Sequence, residues 1–310
     1  MIEKELIWIW FSLINGINQQ KLQKLLVLCD GYENLWNAMD VTQLPDLVRA
    51  NQDWSTLIES ILRKDLKENA KRIVASCEDK KIQIVFPGHE DFPTLLKYTE
   101  ACPMVLYVRG KLLASDQLLA IIGSRTASSY GLDIAYSFAK KLAENGVTIV
   151  SGLARGVDTY AHAGALKGKG RTIAVLGNGV DVPYPRENCN LMETIVSNGA
   201  VISELPPGTR PSKFSFPQRN RIIAGMSAGV FVTEAGPDSG TRITVDYANE
   251  YGKDIFAVPG EITRQNFFGT NKMLKDGAIF VTTPDDIFSA IKNHYQIPEN
   301  LLDSDNFNLD

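Results

Sequence analysis

Leu118-Leu119-Ala120-Ile121-Ile122-Gly123-Ser124-Arg125 is the stretch from which the fold follows. Five apolar residues run without a polar interruption and then stop at Gly-Ser-Arg. A strand with one wet face alternates apolar and polar side chains, whereas an unbroken run bounded by glycine suits a strand covered on both faces. Similar runs occur at Ile82–Phe86, Met104–Val108, Val147–Val150, Thr172–Leu176, Val201–Ser203, Val230–Thr233, Ile255–Val258 and Ile279–Thr282. Helical stretches separate most of them. Buried strands alternating with helices predict an α/β domain with a mostly parallel sheet.

In such a sheet, ligands bind beyond the carboxyl ends of the strands. Four of these ends are unusual. The first is Gly123-Ser124-Arg125, followed by Ser128-Ser129-Tyr130-Gly131. The second is Ser151-Gly152-Leu153-Ala154-Arg155-Gly156-Val157-Asp158. The third leads from Val201–Ser203 through Glu204 to Lys213-Phe214-Ser215-Phe216-Pro217-Gln218-Arg219-Asn220-Arg221. The fourth is Glu234-Ala235-Gly236-Pro237-Asp238-Ser239-Gly240-Thr241, in which Ser239 or Thr241 is placed to cap the next helix. Glycine admits close approach of a ligand, and arginine offers a charge-assisted fork to an anion. The four ends are expected to cluster and to bind phosphate.

Within Lys213–Arg221, three cations, two phenylalanines and an asparagine share nine residues. Cations neutralise phosphates and an aromatic face stacks an unpaired base, so single-stranded nucleic acid suits this block best. Pro217 is expected at the helix start, which would place Arg219 and Arg221 near its positive end. Of the two phenylalanines, Phe214 is expected to stack and Phe216 to enter the core. The net charge of -4 hides a segregation: residues 105–225 carry 14 basic against 8 acidic side chains, and both flanking segments are acidic. A basic surplus in the same third as the basic-aromatic block is an electrostatic footprint for a polyanion.

Other classes are disfavoured. The patterns GxGxxG and GxxxxGK[ST] are absent, so neither dinucleotide binding nor ATP hydrolysis has support. Cys29, Cys77, Cys102 and Cys189 form no CxxC pair, and His89, His162 and His294 are scattered, which points to reduced thiols, no metal site and a cytoplasmic protein. No run of about 18 apolar residues spans a membrane, and no secretion signal opens the chain. His162, among small residues that allow close helix–sheet approach, reads as a packed histidine. Glu204 and Glu234 read as organisers of Arg219 or Arg221.

The organisation predicted is a helical accessory domain over 1–78, the α/β domain over 79–292 and a disordered acidic tail over 293–310. The N-terminal part shows apolar periodicity in Leu6–Ile14, in Leu22–Leu28 and from Trp54 to about Cys77, with Asn15-Gly16-Ile17-Asn18 as a turn. It resembles a sterile-alpha-motif-like or helix-hairpin-helix-like bundle. Asn18 and Gln19 carry little charge for duplex backbone, so an accessory or interaction role is expected.

Several blocks together resemble the DprA family, also called Smf or DNA-processing protein A. They are Ser151–Asp158, Ala161-His162, Thr172–Gly177, Asp181 with Tyr184-Pro185, Ile202-Ser203-Glu204, Phe216–Gly225, Ser239-Gly240-Thr241 and Val258-Pro259-Gly260. The resemblance covers roughly residues 80–290 and, more loosely, the helical bundle. It implies an extended Rossmann-like domain that binds single-stranded DNA during natural transformation, protects it and loads RecA onto it. A homodimer is implied, with no cofactor and no catalytic turnover. By resemblance, Gly123, Ser124, Arg125, Ser151, Gly152, Arg155, Gly156, Lys213, Phe214, Arg219, Asn220 and Arg221 line the DNA pocket, and Arg186 adds a backbone contact. Ser239, Gly240 and Thr241 complete the predicted set. Some members end in a winged-helix-like domain, for which this chain is too short.

A rival reading is an enzyme. Rossmann-like nucleotide phosphoribohydrolases of the lysine-decarboxylase-like family are similar around Ser239-Gly240-Thr241. Their Pro-Gly-Gly-x-Gly-Thr-x-x-Glu motif supplies a glutamate to the ribosyl bond, and here Thr244 stands in its place. Threonine cannot act as that carboxylate.

Overall fold

The computed structural model describes residues 3–237 and 239–291, and the acidic tail expected over 293–310 lies outside them. The chain begins with helices α1 (Lys4–Ser12), α2 (Gln19–Leu28), α3 (Tyr32–Asn37), α4 (Asp46–Arg49), α5 (Ser55–Leu62) and α6 (Lys64–Asp79). Helix α1 is buried nearly all round, with Ile7, Trp8, Ile9, Trp10 and Phe11 inside. Asn18, poorly charged for DNA, turns out to be a cap: its side chain accepts the Lys21 N–H at 2.9 Å. The single helical run expected from Trp54 to about Cys77 is two helices. Arg63 is extended between them (φ -69, ψ 113), which resets the phase so that Leu57, Ile58 and Ile61 of α5 and Ala70, Ile73 and Cys77 of α6 all reach the core.

Nine strands form one sheet: β1 (Gln83–Val85), β2 (Leu106–Gly110), β3 (Gln117–Ile122), β4 (Val147–Ser151), β5 (Thr172–Val175), β6 (Ala200–Ser203), β7 (Gly229–Val232), β8 (Asp254–Ala257) and β9 (Ile279–Phe280). Their order is β1-β2-β6-β5-β4-β3-β7-β8-β9. From β6 to β9 neighbours are parallel; β1 and β2 run antiparallel at one edge. The chain winds outward from β3 to β6 and then returns to place β7 on the other side of β3. Order therefore reverses between β3 and β7, where doubly wound sheets open a crevice at their carboxyl ends.

Helices cover both faces: α7 (Thr94–Lys97), α8 (Ser129–Glu144), α9 (Val157–Lys167), α10 (Cys189–Asn198), α11 (Ser215–Met226), α12 (Thr241–Glu250), α13 (Phe268–Lys275) and α14 (Pro284–Ile291). On one face Leu96, Ile222, Ile223 and Val245 pack on Ala120, Val150, Ile173, Ile202 and Val230. On the other, Phe138, Leu142, Ala161 and Ile287 pack on Leu119, Ile121, Ile149 and Phe231. The N-terminal helices continue this second face, since Trp8, Ile58 and Ile73 share a core with Val105, Tyr107, Ala174 and Val201. The small residues of α9 serve two contacts: Ala161 and Ala165 pack toward the sheet, as their sequence suggested, whereas a Cβ on Gly164 would strike the Tyr136 carbonyl, so that glycine lets α8 and α9 touch.

Gly156 joins two strand ends. It has φ +74, and a Cβ there would overlap the Ser124 carbonyl and lie 2.8 Å from Arg125 C. Beside it, the Val157 N–H donates to Ser124 O at 3.3 Å. Gly156→Ala is expected to cost roughly 2–4 kcal/mol, from a left-handed backbone plus a steric clash. Urea unfolding checks this, and a change under about 0.5 kcal/mol would show that the loops do not constrain each other.

Candidate nucleic-acid interface

The carboxyl ends of β3, β4 and β5 lie side by side. At the end of β3 the Ser124 N–H donates to Glu234 O at 2.9 Å, tying the β3 turn to the β7 turn. The Glu234 side chain is fully buried. It accepts the Ser128 N–H at 2.9 and 3.1 Å, the Ser128 hydroxyl, and Asn266 Nδ2 at 3.0 Å. A carboxylate at the start of α8 is favoured by the orphan N–H groups there. Glu234 thus organises a helix start rather than an arginine. Glu204 does pair with an arginine, reaching Arg221 Nη2 at 2.6 and 2.7 Å.

Arg219 is 7% exposed and forms a brace beneath the edge. Its Nη1 donates to Gly152 O at 2.8 Å and to Val175 O, and its Nε donates to Asn220 Oδ1 at 3.2 Å. Burial lowers its pKa to about 10, against the pull of Asp158 and with help from Arg125, so it stays charged at neutral pH. Asp158 accepts the Gly152 and Ala154 N–H groups at 3.0 and 3.2 Å, and burial raises its pKa against the nearby Arg219. A Cβ on Gly152 would lie 2.5–2.7 Å from the guanidinium, so glycine makes room for the brace.

Three expectations are corrected by this arrangement. Helix α11 begins at Ser215, two residues before Pro217. Residues 215, 219, 222, 223 and 226 share its buried stripe, and Arg219 turns inward, although it still forms part of the floor of the cavity at this edge. Arg221 is 16% exposed, paired with Glu204, and does not line the cavity above Arg219. Ser151 is fully buried, and its hydroxyl donates to Ile121 O at 2.7 Å, leaving nothing to offer a ligand. Asn220 accepts the Arg219 bond and is half-buried.

Above the brace is a small cavity of about 70 Å³, where Arg125, Gly152, Arg155, Asn178, Tyr184 and Phe216 meet. Phe216 and Tyr184 stack with centroids 5.5 Å apart and planes 25° apart. The Arg125 guanidinium stands 5.9 Å from the Phe216 centroid. A Cβ on Gly177 would lie 2.8 Å from the Phe216 ring, so the glycine seats it. The expected division of labour is therefore revised in part: Phe216 lines the cavity rather than the core, and Phe214 is 83% exposed. Arg155 reaches Glu187 at the rim. Lys213 and Arg186 are exposed, and among the described residues no carboxylate forms an ion pair with Arg125, Arg186 or Lys213.

Of the fourth strand end, Glu234 joins the β3 turn, but Ser239, Gly240 and Thr241 do not line this cavity. The Ser239 hydroxyl donates to Thr241 Oγ1 at 2.8 Å and accepts the Thr241 N–H at 3.3 Å, while Gly240 is exposed. Ser239 lines a different groove with Gly236, Arg242 and Lys253. Thr244 is buried in α12, so no carboxylate stands there for ribosyl cleavage. Tyr184, Phe216 and Asn178 were missing from the predicted set. The signal for Tyr184 was an aromatic held between Pro183 and Pro185 just past a strand end, where no core is available to it.

The sequence profile of DNA recombination-mediator protein A matches residues 83–292. The chain belongs to this family. Protein Smf of Synechocystis sp. is 34% identical over 289 residues, which span 92% of this chain and 72% of that protein. DNA processing protein DprA of Bacillus subtilis is 36% identical over 222 residues, covering 71% and 75% of the two chains. The crystal structure of DNA processing protein A from Streptococcus pneumoniae superposes with a TM-score of 0.75 at 33% identity, over 93% of this chain and 98% of that one. The Helicobacter pylori protein, studied for its single-stranded DNA binding mode, gives 0.62 at 29% identity over 70% and 98%. Among the described residues of this DprA-family chain, no helix is long and apolar enough to cross a membrane.

His162 sits below the brace, fully buried. Thr172 Oγ1 donates to Ile149 O at 2.7 Å, so His162 Nδ1, 2.7 Å from the same oxygen, must be the donor in their bond. Nε2 then keeps its lone pair with no partner among the described residues. Burial, aided by Arg219, lowers the pKa to about 3. The unfolded chain therefore takes up a proton near pH 6.5 that the folded chain refuses until about pH 3. Stability should fall across that window as pH drops, by about 1.4 kcal/mol per unit at most. Urea titrations at several pH values should give a shallower acid limb for His162→Asn than for the parent; parallel limbs would contradict a neutral His162.

Proposed function

We propose that the edge formed by β3, β4 and β5 binds single-stranded DNA. The observation that carries this reading is the stack of Arg125, Phe216 and Tyr184 at the carboxyl end of a doubly wound sheet. A base can continue the Tyr184–Phe216 stack, and Arg125 can meet the adjacent phosphate while retaining its contact with the ring. Lys213 and Arg186, both exposed, extend the positive track, and the turns at Gly123, Ser124 and Gly156 bring backbone close to it. Arg219 supports the site from beneath. The single-stranded DNA bound by the H. pylori relative supports the same class of ligand.

The activity inferred is binding and delivery, without turnover, in the cytoplasm. Incoming single strands are sheltered during natural transformation and handed to RecA. Two copies joined as a homodimer place two sites on one strand, raising avidity by effective concentration.

Stacking on aromatic side chains contributes about 1–3 kcal/mol per base. Phe216→Ala and Tyr184→Ala should each weaken oligothymidine binding by roughly five- to a hundredfold on that scale, with the fold intact. Phe214→Ala should have a smaller effect. Fluorescence anisotropy against a duplex of equal length, at two salt concentrations, makes the test. Arg125→Ala should also flatten the salt dependence by about one released counterion. Equal affinity for both DNA forms, or unchanged binding in Phe216→Ala and Arg125→Ala together, would remove this edge from consideration.

A further inference from the structure

We propose that Asp181 is a positioning residue through which the N-terminal helical bundle sets the geometry of the single-stranded DNA site. The inference rests on the reading of the Arg125–Phe216–Tyr184 cavity given above. Asp181 lies in the segment 178–185 that follows β5 and carries Tyr184. Its Oδ1 accepts the Gly208 N–H at 2.7 Å. Its Oδ2 accepts from Lys80 Nζ at 2.6 Å, and the Asp181 side chain is only 17% exposed in this pair. One carboxylate thus ties three pieces of chain: the end of α6, the Tyr184 segment, and the segment that runs from β6 to Lys213.

Further contacts make this junction tight. The Gly179 N–H donates to Thr209 O at 2.9 Å, and a Cβ on Gly179 would lie 2.8 Å from both Asp181 Oδ1 and Pro206 O. Val180, next in sequence, is fully buried in the core that also holds Trp8, Ile58 and Ile73. The Tyr184 segment is therefore anchored to the helical bundle twice, by an apolar side chain and by an ion pair. A carboxylate close to a track for phosphates would repel the ligand if left bare. Lys80, supplied from the bundle, neutralises it and fixes its direction.

The consequence is a division of labour. Arg125 and Phe216 are presented by the sheet and α11, whereas Tyr184 and Lys213 sit on two connecting segments that have no strand or helix of their own at this junction. Binding needs both segments held in register with the fixed part of the site. Holding them beforehand spares the ordering entropy that the ligand would otherwise have to overcome.

The test uses the full chain with Asp181→Ala, Asp181→Asn and Lys80→Gln, measured by hydrogen exchange without DNA and by oligothymidine titration. Exchange at Gly179, Gly208 and Thr209 should speed up by about tenfold in Asp181→Ala, on the scale of a lost charge-assisted hydrogen bond, and by less in Lys80→Gln. Affinity should fall by a similar factor, about tenfold, while the slope of affinity against salt stays that of the parent, since no phosphate contact is removed. Asp181→Asn, which keeps an acceptor for Gly208, should recover part of both losses. Unchanged exchange would overturn the clamp, and faster exchange with unchanged affinity would overturn its role in binding. A shallower salt slope in Lys80→Gln would overturn it too, by making Lys80 a direct phosphate ligand. If the parent chain fails to bind oligothymidine, the proposed DNA site falls, and with it the role of Asp181 in binding, while the exchange rates still decide whether the clamp exists.

Discussion

The guanidinium of Arg219, closed over by the ends of β4 and β5, is the interaction on which the site depends. It bonds the carbonyls of Gly152 and Val175, two strand ends that parallel pairing leaves without partners at the sheet's carboxyl edge. Placing a cation there is expensive unless it is paired and hydrogen-bonded, and Asp158 together with those carbonyls meets that requirement. The need for space explains Gly152, and the need for charge explains why Asp158 stays in an environment that raises its pKa. With the brace in place, the β4 turn takes a defined path, Gly156 can pass against Ser124, and Arg125 is delivered above Phe216. Arg219 thereby holds the edge together from beneath while forming part of the floor of its cavity.

The fold was legible because its central strands are buried on both faces, and even β9, whose Ile279 and Phe280 are exposed, keeps an apolar run. All nine runs read as strands are strands, and the parallel order follows from the helices between them. The site was legible as a region but not residue by residue. Arg125, Arg219 and Arg221 are the same residue type in equally suggestive contexts. Arg125 lies in the exposed turn after β3, whereas Arg219 falls on the buried stripe of α11 and Arg221 is paired with Glu204. Phe216 lines the cavity instead of entering the core, while Phe214 stays exposed. Ser151 could not be read because a serine after a strand bonds equally well to a ligand or to the neighbouring strand, and here Ile121 O is nearer. The fourth turn, at Ser239, was grouped with the others by its chemistry alone, and its groove belongs to α12 and α13.

The carboxylates illustrate how burial decides between structure and chemistry. Glu234 stands at the topological switch point, where a ligand group is commonly found. Every neighbour it has is a donor from its own chain, and it has no exposed surface. Glu204 is consumed by Arg221. What remains accessible at the edge is mainly cationic and aromatic, with Glu187 at the rim paired to Arg155.

The helical bundle and the sheet share one apolar interior, because Trp8, Ile58 and Ile73 lie against Val105, Tyr107, Ala174 and Val201. A chain begun at residue 83, where the family profile begins, would present Tyr107, Ala174 and their neighbours to water. Lineages that shed or exchange these helices must therefore repaint the sheet face at the same time, with polar side chains or another cover. The bundle and the sheet face it covers form one packing unit, so a change of volume or polarity in its residues has to be matched by one in β2, β5 or β6.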